Sequence, residues 1–161
     1  MSLFSLLRKP EWEHRDASRR ANAVARQSEP ELLAKLPELA RDDPDASVRL
    51  AAVRRLDDLS LLGDRMRHDA DDSVRAAARQ RYLQRLLDAN VPLTERERVL
   101  GVEEDPDILV AAAGEAPEPS LRRIGLERSA RPGLLVERCS KDPDPELRRW
   151  ILDRIDDADT L

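Results

Sequence analysis

The sequence contains few aromatic residues and a single cysteine. Among its 161 residues there are one Phe, one Tyr and two Trp, so a buried core must be built from Leu, Val, Ile and Ala. Cys139 has no second cysteine with which to form a disulfide or a multi-cysteine metal site, which fits a reducing compartment. The composition therefore excludes a disulfide framework and favours an all-α protein.

Long apolar runs are also absent. No segment approaches the roughly 18 apolar residues that a bilayer-spanning helix requires. The apolar opening, residues 1–7, is short and lacks a preceding basic region, so it does not have the form of a signal peptide. We therefore expect a cytoplasmic protein with no membrane span.

Lysine is the third scarce residue type. The chain has three lysines against 25 arginines, and the excess of acidic residues leaves a formal net charge of −5. Proteins that coat a nucleic-acid duplex are more often net basic. The charge balance therefore disfavours a nucleic-acid partner, although a local arginine patch remains compatible with one.

A repeated pattern occupies most of the chain. The stretch 45–56, Asp-Ala-Ser-Val-Arg-Leu-Ala-Ala-Val-Arg-Arg-Leu, has imperfect copies before and after it. An Asp-rich turn precedes the copies, at 41–45, 68–71, 104–107 and 141–144. Two further copies keep only the helix start, at Asp16 and Glu118. The array is degenerate, because only some of the spacings equal 26 residues.

Each copy predicts a capped helix. An acidic residue before a helix can accept a hydrogen bond from a free first-turn amide, and its charge suits the positive end of the helix dipole. An arginine follows four residues later on the same helical face. These acid and arginine positions are Asp16 and Arg20, Asp45 and Arg49, Asp71 and Arg75, Glu118 and Arg122, and Asp144 and Arg148. We expect the acids to cap helices and Arg49 to connect one repeat to the next; a row of arginines that binds phosphate or acidic groups is the alternative.

Shorter apolar segments lie upstream of the turns and complete the unit. They span residues 31–40, 59–67, 94–103 and 132–139. Thr94 and Glu97 have the spacing of a capping box, which predicts a helix start at Thr94. The predicted unit is a short helix, an Asp/Pro turn and a longer helix.

The pattern Asp-Pro-Asp-x-x-Val-Arg-x-Ala-Ala-x-x-x-Leu resembles the HEAT-repeat family over about residues 14–157. The resemblance implies a right-handed α-solenoid of about five stacked helix pairs. We expect one domain over residues 1–161, with an apolar arm at 1–13, repeats at 14–157 and an acidic tail at 158–161. In the arm, Phe4, Leu7 and Trp12 are expected to cover the first helix pair.

Departures from the pattern predict where the array changes. Asp107 is followed by Ala111 in place of an arginine, and residues 114–117 are expected to end that helix early. Trp150 stands where Ala51 stands in the second copy, so an incoming helix would clash there. We expect Trp150 to close the stack or to anchor another chain.

The resemblance also implies a concave surface formed by the second helix of each pair. Arginines on those helices and Trp150 are the candidate binding residues: Arg54, Arg55, Arg79, Arg81, Arg85, Arg154 and Trp150. The alternative is that these arginines are solvated among neighbouring aspartates.

Catalytic and metal constellations are nearly absent from the sequence. His14 and His68 lie in different repeats, and Cys139 lies beside Val136 on an apolar helix face, where a core role is expected. No catalytic residue, metal or cofactor is predicted. We expect a non-catalytic scaffold that binds a protein partner on its concave face; a nucleic-acid-binding module using an arginine-rich groove and a HEAT-like lyase-type enzyme are the alternatives.

Overall fold

The computed structural model describes the backbone of residues 9–159 and the side chains of residues 9–155. This part of the chain forms one 3₁₀ helix, Glu11–Glu13, and ten α-helices, and it contains no strand. The α-helices are α1 (Ala17–Arg26), α2 (Pro30–Asp42), α3 (Ala46–Val53), α4 (Leu59–His68), α5 (Asp72–Leu86), α6 (Leu93–Leu100), α7 (Pro106–Glu115), α8 (Pro119–Ser129), α9 (Pro132–Lys141) and α10 (Pro145–Asp159). The expected all-α class is confirmed, and no helix in the described residues is both long and apolar enough to cross a membrane.

Acidic residues begin most of the helices, as the sequence predicts. Asp16 accepts a hydrogen bond from the Arg19 amide at 3.1 Å, and Asp45 accepts one from the Ser47 amide at 2.9 Å. Asp71 and Asp144 cap α5 and α10 in the same way. Each bond satisfies an amide that has no partner within its own helix.

One predicted helix start and one predicted cap are wrong. Glu118 precedes α8, but its side chain accepts no hydrogen bond from a first-turn amide and binds Arg96 instead. The helix α6 begins at Leu93 after Pro92, so Thr94 lies inside the first turn and does not cap it. The helix α7 is capped by Asp105, whose side chain accepts from two first-turn amides, and Asp107 lies within the helix. Pro106 follows this cap, because proline fits the first helical position, where no amide is required. The early end of α7, at Glu115, is confirmed.

The chain divides into two compact units, Met1–Tyr82 and Leu83–Leu161, with the boundary inside α5. In the first unit, α3 packs against α1 and α2, and the 3₁₀ helix packs against α1. Trp12 in that 3₁₀ helix is buried, as expected of the arm, whereas Phe4 and Leu7 lie outside the described residues. The acidic tail predicted at 158–161 lies beyond the last described side chain.

The repeated stretch provides core residues of the first unit. Val48, Ala52 and Leu56 are almost completely buried, which confirms the apolar face read from the sequence. Small residues at 51 and 52 keep this short helix close to its neighbours.

In the second unit, α7 packs against α8 and α9 against α10. Its core includes Ala113, Leu126, Leu147 and Ile151. Partly buried residues pack against this cluster, among them Leu134, Leu135, Cys139, Trp150 and Ile155. Cys139 therefore packs against the core but is only partly buried, and Val136 beside it on the predicted apolar face is exposed.

Candidate functional site

The arginine four residues after a helix-capping acid occupies the same place in several copies. Arg49 donates through Nη1 to the main-chain oxygen of Asp43 at 3.0 Å, in the turn before its own helix. Its Nε and Nη2 donate to the two carboxylate oxygens of Asp69, at 3.0 and 2.9 Å. Asp69 follows α4, so the expected link from Arg49 to the next helix pair is confirmed. We call this arrangement a clasp.

The clasp recurs in both units. Arg20 binds Asp43 through Nε and Nη2 at 3.0 and 2.9 Å, and Arg122 binds Asp142 in the same way at 2.8 and 2.9 Å. Each arginine also donates to main-chain oxygens in the turn before its helix. The bidentate geometry matches the planar guanidinium to the carboxylate, and the charge-assisted bonds orient the two groups.

The carboxylate of each clasp also shapes its turn. Oδ1 of Asp43, Asp69 and Asp142 accepts a hydrogen bond from the amide two residues later, at 2.9, 3.0 and 2.9 Å. The acid therefore binds both the local turn and an arginine 20 to 23 residues before it.

At two of the clasp carboxylates, Asp69 and Asp142, hydrogen bonding outweighs the effect of burial on the pKa. Burial by itself would raise the pKa of Asp69, but hydrogen bonds from Arg49 and the Asp71 amide, with the charge of Arg49, lower it below the ordinary value. Burial opposes the same change at Asp142, where Arg122 and the Asp144 amide lower the pKa. The Asp69 hydrogen bond in turn raises the pKa of Arg49.

A related ion pair, Arg96 with Glu118, was not predicted from the sequence. Arg96 is almost fully buried and binds both carboxylate oxygens of Glu118, at 2.7 and 2.6 Å. Its Nε donates to the main-chain oxygen of Val91 at 3.0 Å. Arg96 lies four residues after Pro92, the residue before α6. Pro92 stands where the repeated pattern has an acidic residue, so the pattern did not predict this pair.

A second arginine position also recurs, ten residues after the helix-capping acid. It is occupied by Arg26, Arg55, Arg81, Arg128 and Arg154. Arg55 donates to the main-chain oxygens of Val24 and Gln27, and Arg81 to that of Leu56 at 2.8 Å. Arg128 donates to the main-chain oxygen of Glu103 at 2.8 Å. These three side chains satisfy carbonyl groups near the ends of earlier helices.

These contacts bear on the candidate binding arginines. Besides its main-chain contact, Arg81 pairs with Asp57 at 2.7 Å, and Arg85 pairs with Asp88 at 2.5 Å. Arg55, which follows α3, is half-buried where its side chain contacts the end of α1. Arg79 is also half-buried, and Arg54 is exposed. Arg81 and Arg85 would therefore have to leave a carboxylate before binding a phosphate.

Trp150 and Arg154 lie together at an open groove of 530 Å³ in the second unit. The groove lies between the end of α8, the start of α9 and α10. Its lining comprises Leu126, Glu127, Ala130, Arg131, Pro132, Leu135, Trp150 and Arg154. We call this surface the Trp150 groove.

Two guanidinium groups lie over the Trp150 ring. The Cζ atom of Arg123 is 4.8 Å from the ring centre and that of Arg154 is 5.3 Å away. Both distances allow a cation–π interaction. Glu127 approaches both arginines, at 3.1 Å from Arg123 Nε and 4.0 Å from Arg154 Nη2.

The other side of Trp150 has a different charge. A smaller groove there is lined by Arg123, Asp144 and Glu146, together with Pro119, Ser120 and Leu147. Trp150 thus separates a surface with two acidic side chains from one that carries Arg131 and Arg154.

The two histidines do not belong to a cluster of metal-ligating side chains in the described part of the chain. His14 lies 3.1 Å from Arg19, and His68 lies 3.1 Å from Asp64 on its own helix. Within the described residues, no cluster of three or more His, Cys, Asp or Glu side chains could hold a metal ion.

Comparison of the chain with protein-family models, with curated proteins and with solved structures gave no match.

Proposed function

We propose that this protein is a HEAT-like α-solenoid that acts as a non-catalytic scaffold and binds a protein partner. In this proposal residues 1–161 form one domain of about five stacked helix pairs. The clasps support the proposal, because the same arginine–carboxylate contact joins successive copies at Arg20, Arg49 and Arg122. A repeated link of this kind is expected where each unit contacts mainly its neighbours.

A structural use of the charged residues supports a scaffold over an enzyme. The two buried aspartates with lowered pKa values, Asp69 and Asp142, both belong to clasps. Structural ion pairs perturb pKa values as catalytic sites do, so these shifts do not require a reaction. No observation favours the lyase-type alternative.

The observation that carries the proposal is the Trp150 groove. Tryptophan and arginine are enriched among the residues that contribute most to protein–protein binding. Trp150 is half-buried in a groove bordered by Arg131 and Arg154, which are both exposed. The groove volume also falls within the range of about 300 to 1,000 Å³ that is common for ligand sites.

A capture experiment in a host lysate tests the proposal. The full chain is immobilised as wild type, as Arg154→Glu and as the double variant Arg81→Glu/Arg85→Glu, with and without nuclease. Arg149→Glu is the matched control, because Arg149 is exposed on α10 outside the groove. We expect a stoichiometric protein partner that survives nuclease and Arg149→Glu but is lost with Arg154→Glu.

The other outcomes are informative. Loss of the partner after nuclease treatment would favour the nucleic-acid alternative, which also requires affinity that falls steeply with salt. Loss with Arg81→Glu/Arg85→Glu alone would move the interface to the arginines of α5. Retention by every variant would exclude both surfaces.

Small-angle scattering tests the solenoid. A globular chain of 161 residues has a radius of gyration of about 15 Å. Stacked helix pairs would give a clearly larger value and an elongated distance distribution. A radius near the globular value would contradict the solenoid without bearing on the binding proposal.

A further inference from the structure

Arg154 departs from the arrangement that three of its four equivalents adopt; the fourth, Arg26, is exposed. Arg55, Arg81 and Arg128, at the same position in their copies, donate to main-chain carbonyl oxygens near the ends of earlier helices. Arg154 is 54% exposed and lies over Trp150, with Glu127 at 4.0 Å as its ion-pair partner among the described residues. The last copy therefore presents to solvent the hydrogen-bonding groups that the copies of Arg55, Arg81 and Arg128 use internally.

The surface beside Arg154 combines apolar and cationic groups. Leu126, Pro132, Leu135 and the Trp150 ring supply the apolar part of the groove. Arg131 borders it and is exposed, and its side chain has no hydrogen-bond or ion-pair partner in the described part of the chain. Arg123 and Arg154 lie over the same ring, and both contact the carboxylate of Glu127.

We propose that the Trp150 groove binds a short acidic segment of a partner protein that also carries an apolar side chain. The apolar side chain would pack on Trp150 and Leu135, and the segment's carboxylates would accept hydrogen bonds from Arg131 and Arg154. Glu127 shows that a carboxylate fits between Arg123 and Arg154. This inference rests on the proposed function and names the class of partner for that site.

Charge favours an acidic peptide over a nucleic acid at this site. The chain carries a net charge of −5, and the acidic groove on the other side of Trp150 would repel an extended phosphate backbone. A short peptide needs to contact only the positive side. Its carboxylates would gain from hydrogen bonds to the guanidinium groups, and its apolar side chain from burial against the ring.

Fluorine NMR of the full chain labelled with 5-fluorotryptophan provides a direct test. The chain has two tryptophans, so two signals are expected, and Trp150→Phe assigns them. Trp12 is 7% exposed and lies in the other compact unit, which makes it an internal reference. The probe is a library of octapeptides made only from Asp, Glu, Leu and Phe, at a total concentration of about 1 mM.

We expect the acidic library to shift the Trp150 signal and leave the Trp12 signal unchanged. A library with Asn and Gln in place of Asp and Glu should bind at least about tenfold more weakly, and so should the Arg131→Glu/Arg154→Glu variant. Arg149→Glu makes half of the charge change of the double variant, on α10 outside the groove, so it should bind nearly as well as wild type. Thermal unfolding of each variant verifies that the fold is retained.

Several results would overturn the inference. They are an unshifted Trp150 signal at the highest library concentration, equal binding of the neutral library, or equal weakening by Arg149→Glu. Tighter binding of a single-stranded oligonucleotide at the same salt concentration would replace the peptide by a nucleic acid. Failure of these tests with continued capture of a partner dependent on Arg154 would reject the acidic segment while leaving the proposed function intact.

Discussion

At the scale of the residue, ion pairs contribute differently to stability in different surroundings. The Arg122 and Asp142 side chains are 5% and 0% exposed, whereas those of Lys141 and Glu137 are 62% and 54% exposed. Breaking a buried pair leaves a charge that water cannot reach, but an exposed partner is readily solvated. Both pairs are oppositely charged contacts, so burial determines which one the fold depends on.

Removal of one clasp carboxylate is therefore expected to be costly. Asp142→Ala leaves the buried Arg122 unpaired and also removes the acceptor of the Asp144 amide. We expect a loss of about 3 to 5 kcal/mol in the free energy of unfolding, measured by urea denaturation. Glu137→Ala on the same helix is the control and should change stability by less than about 1 kcal/mol. Equal effects of the two variants would contradict a dominant role for the buried clasp.

Ala130 is the second informative residue. It ends α8 with φ 49° and ψ 32°, and it is the one non-glycine residue with positive φ in the described chain. The left-handed conformation costs an L-residue about 1 to 2 kcal/mol. A glycine there also ends a helix well, because it has no Cβ.

Ala130→Gly is therefore expected to stabilise the protein. Relief of the backbone conformation should exceed the entropy of about 0.4 to 1 kcal/mol that glycine adds to the unfolded chain. A net gain of about 0.5 to 1 kcal/mol should appear in thermal or urea unfolding. The same substitution at exposed Ala76, inside α5, should instead cost about 1 kcal/mol. A loss of stability at both positions would contradict the explanation.

At the scale of the element, α7 and α8 show how close packing selects a residue. A Cβ added to Gly125 would lie 2.6 Å from the main-chain nitrogen of Ala113 and 2.6 Å from the main-chain oxygen of Leu109. Both neighbours are backbone atoms, so they cannot move aside as a flexible side chain would. The helix pair therefore requires glycine at this contact.

Gly125→Ala is expected to force α7 and α8 apart. The overpacked contact should lower the free energy of unfolding by about 1 to 3 kcal/mol. Gly114→Ala, in α7 of the same helix pair, provides the matched control, because no atom lies within 4 Å of its added Cβ. That control should be neutral or stabilising by about 0.5 kcal/mol, since alanine favours helix. A Gly125→Ala protein as stable as wild type would show that the helices can separate at no cost.

Helix starts differ in how far local sequence determines them. The Asp45 and Asp71 caps follow from the acid and the residues next to it, and both were predicted. The start of α6 was missed because Pro92 and Leu93 outweigh the Thr94 capping-box pattern. Because α6 begins at Leu93, Arg96 falls on the buried face of this helix. Its partner Glu118 lies 22 residues further along the chain.

At the scale of the whole molecule, the ionised carboxylates link stability to pH. The pKa values of Asp69 and Asp142 are lowered in the folded protein, and those of Asp45, Asp64, Asp88 and Glu118 are lowered as well. A lowered folded-state pKa means that the unfolded chain binds protons more readily. The stabilising contribution is therefore complete above the ordinary carboxyl pKa of about 4 and is lost as the pH falls below it.

We expect the free energy of unfolding to change little between about pH 5 and 7 on account of these groups and to fall steeply below about pH 4. Urea denaturation at a series of pH values measures this dependence. The double variant Asp69→Asn/Asp142→Asn should be less stable at neutral pH and should lose less stability on acidification. Parallel curves for the variant and wild type would show that the clasps do not carry the pH dependence.

Local interactions were sufficient to specify the helical class, most helix starts, the turn acids and the apolar face of Val48, Ala52 and Leu56. A cap or an amphipathic face depends on residues a few positions apart, so its pattern is visible along the chain. Packing decided which groups meet across longer distances. Arg49 binds Asp69, 20 residues away, and Arg154 lies over Trp150 while the equivalent Arg81 binds a main-chain oxygen. The reason is that a guanidinium can bind a carboxylate, a carbonyl oxygen or an aromatic ring, and only the folded backbone determines which of them lies within reach.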